Sequence, residues 1–153
     1  MRLSLVYGDC RDFAGLDVGA ISRTSGSFSG LGVGGINIAN GLMRGVQVGL
    51  LNWSSCGDRE ELSLGIQYGL ANYAESFFGL QDSYLNCAGD FSGVQCGGFL
   101  FLCANIAYGK VEGCQLGLLN YAQEMTCGVQ IGIVNIIARN GLLPVLPIIN
   151  GGF

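Results

Sequence analysis

The segment Gly45-Val46-Gln47-Val48-Gly49-Leu50-Leu51-Asn52 returns along the chain with little change. It recurs as Gly65-Ile66-Gln67-Tyr68-Gly69-Leu70-Ala71-Asn72, as Gly113-Cys114-Gln115-Leu116-Gly117-Leu118-Leu119-Asn120 and as Gly128-Val129-Gln130-Ile131-Gly132-Ile133-Val134-Asn135. Weaker copies start at Gly15, Gly30 and Gly79, and Leu143 to Asn150 keeps the apolar positions and the closing asparagine. The closing position falls at Ser22, Asn37, Asn52, Asn72, Asn86, Asn105, Asn120, Asn135 and Asn150, with steps of 15, 15, 20, 14, 19, 15, 15 and 15. A near-constant step interrupted by two short insertions marks a repeat architecture. One insertion is the charged Cys56-Gly57-Asp58-Arg59-Glu60-Glu61; the other lies between Asn86 and Asn105. There Gly93-Val94-Gln95-Cys96-Gly97 also matches the start of the repeat, which leaves the register open.

Within each octet, apolar residues alternate with glycine or glutamine. A period of two is that of a strand with one buried face. Two glycines per octet would each cost about 1 kcal/mol inside a helix. Fifteen residues suit one coil of a narrow parallel stack, with successive coils about 4.8 Å apart. The expected fold is therefore all-β, a parallel β-solenoid of about nine coils forming a single domain over residues 1–153. Residues 1–14 would form its first coil or cap and 143–153 its last. Pro144 and Pro147 suit an edge that must not recruit another strand. The alternative is a small antiparallel outer-membrane β-barrel, since fifteen residues also fit a ten-residue strand with its turn. It explains poorly why one asparagine should recur at alternating barrel ends.

In the solenoid, the apolar residues Val48, Leu50, Leu116, Leu118, Ile131 and Ile133 are expected inside. Gln47, Gln67, Gln81, Gln95, Gln115 and Gln130 would then line up outside, on a flat neutral face. Asn37, Asn52, Asn72, Asn86, Asn105, Asn120, Asn135 and Asn150 are expected to form a structural ladder at a turn, amide bonded to amide.

Composition narrows the function. Glycine numbers 27 of 153 residues, against ~11 at average usage. The net charge of −4 and the lack of basic clusters argue against a nucleic-acid partner. Histidine is absent, and the seven cysteines, at 10, 56, 87, 96, 103, 114 and 127, show no CxxC spacing. No metal site or cofactor is expected from them, and they read as free thiols serving as small hydrophobes. No secretory signal and no apolar stretch of transmembrane length is visible.

The Gly-hydrophobic-Gln-hydrophobic-Gly-Leu-x-Asn unit resembles that of bacterial surface-repeat proteins built from tandem Gly-Leu-Gln-x-Gly-Leu-x-Asn units. The opening Leu3-Ser4-Leu5-Val6-Tyr7-Gly8 and the closing Pro147-Ile148-Ile149-Asn150-Gly151-Gly152-Phe153 resemble the ends of such proteins. The resemblance implies export or a cell-surface location, and no chemistry.

Catalytic signatures are lacking. There is no histidine base, no Gly-x-Ser-x-Gly elbow and no P-loop. Glu60 and Glu61 sit in a solvated insertion, and Asp82 interrupts an apolar position, where a local bulge would turn it outward. The expected function is a non-enzymatic structural or interaction module. Its glycine and glutamine face would meet a second copy or another protein, with a glycan or ice as alternatives. A membrane is expected only for the barrel.

Overall fold

The computed structural model describes residues 1–56, 62–97 and 102–153. Its strands are β1 (Arg2–Cys10), β2 (Phe13–Thr24), β3 (Phe28–Ala39), β4 (Met43–Ser54), β5 (Ser63–Tyr68), β6 (Ala71–Asp82), β7 (Leu85–Cys96), β8 (Ala104–Leu116), β9 (Leu119–Arg139) and β10 (Val145–Gly152). They pair in chain order within one sheet, and every pairing from β1 to β9 is parallel. The protein is a β-solenoid of about eight turns. An antiparallel barrel would have required every neighbouring pair to run in opposite directions.

Register follows the repeat. Gly30-Leu31-Gly32-Val33 lies on Gly45-Val46-Gln47-Val48, and Asn37-Ile38-Ala39 lies on Asn52-Trp53-Ser54. The open register resolves in the same way. Gln95 stacks between Gln81 and Gln115, while Asn86 lies directly beneath Asn105. The extra residues of that coil follow Gly97, and the charged insertion follows Cys56. Asp58, Arg59, Glu60 and Glu61 lie outside the described residues.

The alternation is right, but its sense is the reverse of the expected one. Gln47, Gln67, Gln81, Gln95, Gln115 and Gln130 are inside, at 0–1% exposure. Leu50 is 58% exposed and Ile133 65%, Leu118 and Ile131 are also exposed, and Val48 and Leu116 are half-buried. A period of two fixes that one set is buried without saying which. What decides is the hydrogen bonding. A glutamine in a parallel stack gives and receives an amide bond at every coil, so it can enter the interior fully satisfied.

The apolar filling comes from outside the octets. Two residues after the asparagines from Asn37 to Asn120 stands a small side chain, Ala39, Ser54, Ala74, Ala88, Ala107 or Ala122, all fully buried, and after Asn135 the larger Ile137. Two residues before the octet's first glycine stand Phe28, Met43, Phe77, Phe91 and Val111, and with Met125, three before Gly128 and stacked on Val111 across a register shift, they complete the core. Phe77 and Phe91 stack with ring centroids 6.3 Å apart. Where the glutamine column is interrupted at Gly32, the Phe28 ring stands 3.3 Å from where a Cβ would be.

The two glycines of the octet are demanded by the stack. Gly45 has φ of 144°, and a Cβ there would fall on the carbonyl oxygen of Gly30. A Cβ on Gly49 would lie 2.7 Å from the Asn37 amide nitrogen.

The last segment is no further coil. β10 runs antiparallel along β9, with Asn150 opposite Gln130 and a register break at Pro147. Asn150 therefore leaves the asparagine column, and its amide donates instead to the Leu143 carbonyl at 2.8 Å. Reversal follows from the chain after Arg139. Asn140 takes φ of 61°, and a hairpin returns the chain before a parallel crossover is possible.

Candidate interaction surface

Two side-chain ladders run the length of the interior. Each glutamine donates Nε2 to Oε1 of the glutamine one coil earlier, at 3.0 Å for Gln67 on Gln47, 2.8 Å for Gln81 on Gln67 and 2.8 Å for Gln95 on Gln81. Gln115 on Gln95 and Gln130 on Gln115 follow at 2.7 Å. The second amide hydrogen crosses the interior to a backbone carbonyl, as from Gln115 to Tyr121 at 3.2 Å.

The asparagine ladder has the opposite polarity. Asn37, Asn52, Asn72, Asn86, Asn105 and Asn120 each donate Nδ2 to Oδ1 of the asparagine one coil later, over 2.8–3.1 Å. Most also bind a carbonyl near the glycine corner, for example Asn52 to Tyr68 at 2.9 Å and Asn120 to Ile131 at 3.0 Å. The asparagines thus pin the corner of one coil to the next.

At the N-terminal end the ladders stop differently. The glutamine ladder begins at Gln47, and beyond the gap at Gly32 the same register position holds buried Asp17. Asp17 forms a bidentate pair with Arg2, whose Nε is 2.8 Å from Oδ1 and whose guanidinium lies 5.0 Å from the Phe13 ring centroid. In the asparagine column Ser22 replaces an asparagine, and both its hydroxyl and Asn37 Oδ1 are buried without partners. Gln130 Oε1 is similarly unpaired under β10.

With the glutamines inside, the expected flat neutral face does not exist. The outer surface beside them is apolar. On either side of the glutamine column stand Val46, Ile66 and Val94 in one row and Val33, Val48, Tyr68 and Ile131 in the next. Beyond the glycine corner, Ile36, Leu51, Leu85 and Leu119 form a third row, and Ile38, Trp53, Tyr73, Ile106 and Tyr121 a fourth. The corner between the two sides is itself apolar, with Leu50, Leu70, Tyr84, Leu118 and Ile133 exposed.

Charge is kept from these rows. Among the described residues only Asp9, Arg23 and Asp82 enter them, the first two paired in register at the N-terminal end. Asp82 faces outward in unbroken register between Tyr68 and Cys96, so no bulge turns it. Its Oδ1 is buried without a partner. Glu75, Asp90, Lys110, Glu124 and Arg139 occupy the turn edge opposite the corner.

Two apolar grooves mark this surface. One, of about 720 Å³, runs along the third and fourth rows past Ile38, Leu51, Trp53, Tyr73 and Leu85 to Arg23. Trp53 and Tyr73 stack there with centroids 4.0 Å apart. The other, of about 640 Å³, lies between the corner residues Leu118 and Ile133 and the cap residues Pro147 and Ile148.

The thiols are free. Burial raises those of Cys87, Cys103 and Cys114, and burial together with nearby Asp82 pushes Cys96 up to about 11. Such thiols are poor nucleophiles at neutral pH. Among the described residues no group of histidine, cysteine or carboxylate side chains is arranged to hold a metal.

Compared with protein-family models, curated proteins and solved structures, the chain matches none.

Hydrophobicity within the octet points to the wrong buried face, and so conceals the apolar surface. The signal lay outside the octet, in the small and bulky columns that already fill a fifteen-residue coil. Ala74 and Phe77 leave no interior room for Leu70 as well.

Proposed function

We propose that the chain is a non-enzymatic structural repeat module that acts through its apolar outer sides. The carrying observation is the inversion itself. The interior is filled by bonded amides, and the aliphatic and aromatic rows face out along the whole stack. Monomeric soluble proteins rarely leave contiguous apolar patches above a few hundred Å² uncovered, and larger ones mark sites of association. The rigid ladders keep such a surface preformed, so little ordering cost attends docking. Likeness of the repeat to bacterial surface-repeat proteins supports an architectural role and a location outside the cytoplasm. The proposals of a glycan or ice partner rested on an outward plane of glutamine and lose that support.

The test replaces Leu70 and Leu118 together by lysine. Association, followed by light scattering and by binding of an apolar fluorescent dye, should fall sharply while thermal stability changes little. Gln67→Lys, by contrast, should prevent folding, because it buries an unpaired charge. A wild-type protein that binds no dye and no partner, and whose lysine variant behaves identically, would refute the docking role.

A further inference from the structure

Resting on that docking role, we propose that the occupant of the apolar sides is the acyl region of a zwitterionic lipid bilayer, on which the rod lies lengthwise. The shape of the surface selects a soft partner. The apolar rows cover two sides that meet at a convex corner, and the crest of that corner holds some of the most exposed side chains, Leu50 at 58% and Ile133 at 65%. A rigid flat partner, a second copy included, covers one side and leaves the crest and the other side wet. Acyl chains follow both sides at once.

Charge and backbone agree with this choice. Most charged groups lie along the opposite turn edge, where Glu75, Lys110 and Glu124 would stay in water. Of the described residues in the apolar rows, Asp9 and Arg23 are paired at the N-terminal end, and Asp82, mid-rod, keeps its Oδ1 buried. Along the rod the backbone amides pair with the coils before and after, so the lipid-facing strands carry few unsatisfied donors. Both ends carry exposed apolar side chains, Leu3 and Val6 on the first strand and Ile148 on the last. A net charge of −4 without a basic cluster gives no attraction to anionic headgroups, so binding should be driven by apolar area and insensitive to salt.

The chain carries its own reporter. Trp53 is its single tryptophan and stands 45% exposed on the apolar side. The full-length protein is mixed with phosphatidylcholine vesicles and floated on a density gradient, with Trp53 emission recorded in parallel. The expected result is co-flotation at low and high salt, a blue shift of emission, and quenching by lipids brominated on the acyl chains. Leu50→Lys and Ile133→Lys should each weaken vesicle binding by about tenfold or more, with circular dichroism unchanged. Lys110→Glu, on the exposed turn edge, should leave it intact. Failure to float, with emission unmoved, overturns the inference. If the protein is then a dimer in plain buffer with Trp53 shielded, the occupant is a second copy and the docking role survives. A monomer that ignores vesicles ends both.

Discussion

Gln67 donates to Gln47 toward the N-terminal end of the stack, at 3.0 Å. Five residues further on, Asn72 donates the other way, to Asn86 at 3.1 Å. The donors of the two ladders therefore point in opposite directions across the same interior. Neither ladder can be broken without leaving buried groups unpaired. Gln67→Leu strips the donor from Gln47 Oε1 and the acceptor from Gln81 Nε2. The expected loss is about 1–3 kcal/mol for each unsatisfied group, read from denaturant unfolding. Asn120→Leu should cost a comparable amount through Asn105, Asn135 and the carbonyl of Ile131.

Ser22→Asn should stabilise the protein. Ser22 occupies the register position of Asn37 one coil earlier, and Asn37 Oδ1 is buried with no donor. An asparagine there supplies the missing amide with the same geometry as every later step. The gain should be about 0.5–1.5 kcal/mol, seen as a higher unfolding midpoint with unchanged slope. A loss of stability would show that the first coil cannot accommodate the ladder.

The Arg2–Asp17 pair predicts a non-additive result. Asp17 is 1% exposed, so Arg2→Leu strands a buried carboxylate and should cost about 3–5 kcal/mol. Adding Asp17→Leu removes the stranded charge and should recover most of that loss. Equal and additive losses in the double-mutant cycle would exclude coupling of this kind.

The inverted alternation separates two truncations. Phe77 is fully buried, and Phe77→Ala should cost about 3–5 kcal/mol. Leu118 is on the crest at 37% exposure, so Leu118→Ala should change stability in buffer by about 0.5 kcal/mol or less. If Leu118→Ala proved the more damaging, the assignment of inside and outside would be wrong.

The raised thiols make stability depend on alkaline pH. A thiol whose pKa is higher in the folded state holds its proton there after the unfolded chain has lost it. Stability is then full below the unfolded value near 9 and declines as pH rises toward about 11, the folded value of Cys96. Cys96→Ser should flatten part of that decline. At pH 8 a thiol reagent should modify exposed Cys127 well before Cys96.

Much of the fold was legible because the period was. The spacing of the asparagines set the coil length, their column was expected to bond amide to amide, and Gln95 could be aligned once stacking was known. The buried side was illegible from the octet because Val48 and Gln47 alternate symmetrically, and hydrophobicity favours the wrong member. Only the capacity of Gln47 to be bonded from the next coil reverses that preference, and that bond joins residues twenty positions apart. Asn150 misled for a simpler reason. It keeps the spacing of the column, but its strand arrives from the opposite direction.

That reversed strand governs how the molecule could grow or polymerise. A parallel coil needs a parallel strand beneath it in register, and β10 presents an antiparallel one. The rod therefore has a stop at one end. Fifteen-residue duplications between β1 and β9 can lengthen it like links added within a chain, whereas a coil appended after β10 has nothing to stack on. For the same reason, repeated head-to-tail joining into a fibre is blocked at every C-terminal cap. An end-on contact through the edge of β1 would pair two rods about a twofold axis and go no further.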